Sequence, residues 1–224
     1  MVSPALIQKN LDAVRARMAA AARRAGRDPA AVTLIAVTKY VDAGAVRALA
    51  GLGVTHFGES RVEAAAPKIQ ALAGAGLVWH MIGNVQRRKS KDVVRLFDRI
   101  DALDRMSLAA AIQERCVALD TQTTVLVEVN VSGEAQKHGF APGELPEALS
   151  GIAEFDRIAV RGLMAMAPLD APPEVVRALF NQLATLAGQH RLPDVSMGMS
   201  NDYEIAIEAG ATEVRVGSAL FEED

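Results

Sequence analysis

Cysteine is nearly absent from this chain, with Cys116 its only example. A single thiol forms no intrachain disulfide and builds no multi-cysteine metal site, and it fits a reducing cytosol. A concentrated basic surface is also lacking. Lys and Arg total 24 against 27 Asp and Glu, a formal charge of -3, which offers no footprint for a nucleic-acid backbone. No apolar run approaches the length of a membrane span, and the N-terminus lacks the apolar stretch of a secretory signal. A soluble, cytoplasmic protein without nucleic-acid or membrane partners is therefore expected. The four histidines, His56, His80, His138 and His190, show no ligand spacing, so no metal is expected. Linkers, low-complexity tracts and charge blocks are missing as well, and residues 1–224 read as one domain.

What is present is enough apolar material for a full-sized core: 224 residues, 50% of them hydrophobic and 23% charged. The segment from Gln8 to Arg27 is rich in Arg and Ala and poor in acids, the composition of an organellar transit peptide. Its apolar residues Leu11, Val14, Met18, Ala21 and Ala25 nevertheless keep helical spacing, which points to an amphipathic helix docked on the core. Eight short apolar or β-branched runs follow: Val32 to Val37, Thr55 to Phe57, Leu77 to Ile82, Asp98 to Ala102, Thr124 to Asn130, Ala159 to Met164, Asp194 to Ser196 and Glu213 to Val216. Between them lie helix candidates such as Ala43 to Leu52, Arg61 to Leu72, Leu108 to Ala118, Pro173 to Gln189 and Asp202 to Ala209. This is the alternation of βα units. Runs that are apolar nearly throughout, such as Val125 to Val129, suit a parallel sheet covered on both faces. The count of eight favours a closed barrel over an open doubly wound sheet. The expected fold is α/β, a single (β/α)8 TIM barrel with an extra N-terminal helix.

In such a barrel, functional groups sit where strands end and βα loops begin. Lys39 directly follows the run Leu34 to Val37, which puts a primary amine at the mouth beside hydrophobic walls. An amine so placed can attack an aldehyde to form an imine, although a strand-end lysine can equally snorkel to solvent. Near the other end of the chain, Ser196-Met197-Gly198-Met199-Ser200-Asn201-Asp202 joins the seventh run to a helix, and Arg215-Val216-Gly217-Ser218-Ala219 forms a second glycine-serine turn. Free backbone N–H groups at helix starts attract anions, and the loops after strands seven and eight are where phosphate sites recur on this fold. Together the two turns point to a phosphorylated ligand.

These residues, with Phe57-Gly58-Glu59-Ser60-Arg61-Val62, Trp79-His80-Met81-Ile82-Gly83-Asn84-Val85-Gln86, Val129-Asn130-Val131-Ser132-Gly133 and Arg161-Gly162-Leu163-Met164, resemble the pyridoxal 5'-phosphate (PLP) homeostasis proteins of the YggS/PROSC type. Those proteins are in turn similar to the barrel domain of alanine racemase. The resemblance runs in order along nearly the whole chain. It implies that Lys39 holds PLP as a Schiff base, that Ser200, Gly217 and Ser218 bind its phosphate, and that Arg215 faces the pyridine nitrogen. His80, Met81 and Asn130 are implied as residues flanking the cofactor at the mouth. A guanidinium has only donors and stays charged, so Arg215 favours an unprotonated pyridine and a weaker electron sink.

The chain departs from the family pattern at Ser60, where asparagine is usual, and in its ending Phe221-Glu222-Glu223-Asp224, which puts the packing of the last turn in question. Racemisation needs a base on each face of the substrate, and the only tyrosines are Tyr40 and Tyr203, neither obviously placed to oppose Lys39. The reading is thus a PLP storage or carrier protein, with apo PLP-dependent enzymes as possible recipients and a monomeric state expected. A PLP-dependent racemase-like enzyme and a Schiff-base lyase of phosphosugars are the alternatives. Lys137, after the fifth run, is a candidate for a second PLP contact, against the plainer reading of a solvated loop lysine.

Overall fold

The first helix begins where its sequence dictates. In the computed structural model, which describes residues 2–134 and 136–223, the Ser3 hydroxyl accepts from the Leu6 N–H at 3.2 Å and Pro4 occupies the first turn of α1 (Pro4–Arg24). Both are standard helix-start devices. The buried face of α1 carries Ile7, Leu11, Val14, Met18 and Ala21, the stripe expected from the spacing, and it docks on the helices at both ends of the chain.

Eight parallel strands follow: β1 (Thr33–Val37), β2 (His56–Glu59), β3 (Val78–Met81), β4 (Arg99–Leu103), β5 (Thr123–Glu128), β6 (Ile158–Met164), β7 (Asp194–Ser196) and β8 (Glu213–Val216). Each pairs with the next, and β1 pairs with β8 through Leu34 and Val214, so the sheet closes. The helices between them are α2 (Ala43–Gly51), α3 (Val62–Ala71), α4 (Ser90–Leu96), α5 (Met106–Ala118), α6 (Leu145–Ala153), α7 (Pro173–Gln189) and α8 (Tyr203–Glu208), with α9 (Ser218–Phe221) after β8. The closed barrel and the extra N-terminal helix are as expected.

Alternate residues on each strand face opposite ways, and this parity divides the core. One large apolar cluster fills the layer between strands and helices, and includes Phe57, Trp79, Met81, Val125, Val127 and Val129. A small cluster of Ala102, Leu126 and Met164 lies apart from it. Lower in the barrel the filling is polar. The Arg99 guanidinium binds Asp101 at 2.6 Å, Asp194 at 3.3 Å and Glu213, while His80 Nδ1 meets Asp101 at 2.9 Å and His80 Nε2 meets His56 Nδ1 at 2.9 Å. Buried charges persist only when paired in this way. Gly162 on β6 lets β7 come close, since a Cβ there would lie 1.9 Å from the Asp194 carbonyl oxygen.

Candidate functional site

The C-terminal ends of the strands surround a cavity of about 550 Å³, within the range of small-molecule pockets. Lys39 reaches it from the loop after β1, and its Nζ lies 5.1 Å from the centre of the neighbouring Tyr40 ring. The backbone carrying this lysine is braced from beneath. Lys68 of α3 donates to the Thr38 carbonyl at 2.6 Å and to the Glu59 carboxylate at 2.8 Å, and the Thr38 hydroxyl donates to the same carboxylate oxygen at 2.6 Å. All three residues are buried. The second Glu59 oxygen has no partner among the described residues.

The two glycine-serine turns meet. Ser200 Oγ accepts from the N–H groups of Gly217 at 3.2 Å and Ala219 at 3.3 Å, joining the loop after β7 to the start of α9. Gly198 shapes the first turn. Its φ is +90°, and a Cβ there would sit 2.5 Å from the Ala206 Cβ, so only glycine fits this close approach to α8. Asp202 adds a hydrogen bond to the Met199 N–H at 2.5 Å. Ser200, Gly217 and Ser218 all line the cavity.

Arg215 enters the cavity from β8 with the rest of its side chain buried. The guanidinium donates to Ser196 Oγ at 2.7 Å and to the Ala165 carbonyl at 3.0 Å. Both acceptors are neutral. No carboxylate forms an ion pair with Arg215 among the described residues, and burial pulls its pKa down against the pull of more distant acids. Its outer face remains available to a ligand acceptor.

The cavity thus brings together Lys39, Ser200, Arg215, Gly217 and Ser218, and it leaves out the other three expected residues. Met81 has the wrong parity, because its side chain joins Trp79 in the layer beneath the helices. His80 points into the barrel but lies two residues below Ile82, which does line the cavity, and it is fully buried between Asp101 and His56. Asn130 lies past the end of β5, where its side chain accepts from Ser132 Oγ at 3.1 Å and the Gly133 N–H at 3.1 Å. This is local turn chemistry. Lys137 is tied to Glu134 at 2.6 Å and lies outside the lining, whereas its neighbour His138 is part of it.

Ser60, the departure from the usual asparagine, lines the cavity. The last turn is anchored, since Asn10 of α1 donates to the Glu222 carbonyl at 2.9 Å. Glu128 was not singled out by sequence reasoning, and it also faces the cavity, with burial and the charge of Asp104 outweighing Arg215 and pushing its pKa up to about 7. A lone carboxylate in the otherwise apolar run Val125 to Val129 was the available signal.

Residues 9–223 match the alanine racemase N-terminal domain family. A pyridoxal phosphate homeostasis protein of Pseudomonas aeruginosa is 40% identical over 96% of this chain and 94% of its own length. The chain belongs to the pyridoxal phosphate homeostasis protein family. Another structure of similar shape is that of PipY from Synechococcus elongatus with PLP bound, at a TM-score of 0.83 and 32% identity, covering 96% of this chain and all of that one. An alanine racemase of Clostridium difficile shares the fold at a TM-score of 0.72 and 13% identity, and here the match covers 86% of this chain but 52% of the racemase.

Proposed function

We propose that this cavity binds PLP and that the chain stores or carries the cofactor in the cytoplasm, as a monomer, for delivery to apo-enzymes that use it. The observation that carries this reading is the convergence on one cavity of an amine, a charged donor without a carboxylate partner, and two clasped turns, from positions far apart in sequence. The cavity suits the cofactor on its own chemistry. The turns after β7 and β8 receive the phosphate, Arg215 donates to the pyridine nitrogen and Lys39 meets the aldehyde. When bound, PLP supplies a reactive aldehyde on an electron-withdrawing ring, and this Arg215 arrangement moderates that pull.

The reading is of a non-catalytic protein. A racemase requires a proton-transfer group on the face opposite the lysine. Tyr40 lies beside the amine rather than across from it, and the residue is 86% exposed at the rim. Tyr203 is buried behind the phosphate turn with the Arg17 guanidinium over its ring.

Incubation with PLP should give a visible absorbance band that Lys39→Ala abolishes, and borohydride reduction followed by peptide mapping should find the modification on Lys39. A wild-type protein without the band, or a variant that keeps it unchanged, refutes the assignment. Chiral analysis of alanine incubated with the loaded protein should show no racemisation beyond that of free PLP.

A further inference from the structure

Resting on that reading, we propose that Glu128 is a cofactor-contacting residue, whose carboxyl donates its proton to an anionic oxygen of the bound PLP ring and so couples binding to proton uptake. Three observations carry this. Glu128 is 4% exposed yet lines the cavity, so the opening its carboxyl meets is the ligand's space. No side-chain hydrogen bond to it exists among the described residues, so its carboxyl oxygens are left open to whatever enters the cavity. It stands on β5, whereas the two turns that receive the phosphate follow β7 and β8. Of the polar atoms on PLP, the phosphate is assigned to those turns, the ring nitrogen to Arg215 and the aldehyde to Lys39. The phenolic oxygen alone is left without an assigned side-chain partner, and in its anionic form it can accept more than the one hydrogen bond that the neighbouring imine nitrogen offers.

The surrounding charges favour the protonated form of Glu128. Asp104 faces it from the loop after β4, itself paired with Arg105 at 2.5 Å and held by Asn84 at 2.7 Å and His138 at 3.4 Å. Arg215 opposes from β8, and Lys39 and Asp202 line the same cavity. Burial and Asp104 together outweigh Arg215, leaving the carboxyl half protonated near pH 7. An incoming phenolate adds negative charge beside it, which drives protonation towards completion.

The test is calorimetric titration of PLP into wild type, Glu128→Gln and Glu128→Ala at pH 7, in buffers of different ionisation enthalpy, alongside the absorbance band and circular dichroism. Wild type should take up about half a proton more than Glu128→Gln, and above pH 7 its affinity should fall relative to that variant by up to about tenfold per pH unit. Glu128→Ala, which removes the donor, should bind at least about tenfold more weakly than wild type. Equal proton uptake by wild type and a folded, band-forming Glu128→Gln overturns the proposal while leaving PLP binding intact. Failure of that folded variant to bind also overturns it, because its amide N–H donates where the carboxyl O–H did. Absence of the band from wild type instead removes the PLP reading beneath it.

Discussion

Lys68 braces the backbone that carries Lys39, although it does not line the cavity. It closes a buried ion pair with Glu59 and holds the carbonyl of the residue before Lys39. Removing one member of such a pair leaves an uncompensated buried charge, which costs about 3–5 kcal/mol, whereas replacing both with apolar groups is often neutral. Lys68→Met should therefore lose about that much stability in urea unfolding and capture PLP more slowly. The double variant Glu59→Met/Lys68→Met should recover most of the stability but not the capture rate. At this scale the sequence was legible only where a motif named a role. Lys39, Arg215 and the serines were marked by type and position. His80 and Met81 came from a contiguous segment, and strand parity then turned one inward below the cavity and the other outward. Parity also hid Glu128, whose neighbours Val127 and Val129 belong to the outer layer.

Among the elements, the turn between β7 and α8 is the least tolerant. At Gly198→Ala the new Cβ would meet Ala206 and the Tyr203 backbone, 2.9 Å away, at a positive φ. The loss should exceed about 1 kcal/mol, and PLP affinity should drop further, since the shifted turn carries Ser200. Thermal melting with and without PLP separates the two effects. The strands were legible to within about two residues because an apolar run bounded by polar turns has few other uses. α4 and α6 were fainter. Each grows directly out of a short 3-10 turn, which blurs where the helix begins.

The barrel interior as a whole is a stack of charges with opposite pH responses. Burial acts to raise Asp101, but His80 and Arg99 outweigh it and hold it below the usual range. Its stabilising contribution is present above the unfolded carboxylate value and is lost as pH falls through the folded one. Glu128 works the other way. Its raised pKa favours folding below the unfolded value near 4.5, and that contribution is lost as pH rises through about 7. Between pH 4.5 and 8, ligand-free wild type should therefore lose up to about 3 kcal/mol relative to Glu128→Gln, measurable by denaturant titration at several pH values.

The pairing of β1 with β8 also sets an order in time. Ribosomes make Lys39 early and Ser200, Arg215, Gly217 and Ser218 late, and β1 cannot find its second neighbour until β8 has emerged. A nascent chain therefore displays the amine long before it has the two glycine-serine turns or a closed barrel. On the proposed reading, cofactor retention becomes a property of finished molecules, since a chain released before β8 lacks both the closing strand and Arg215.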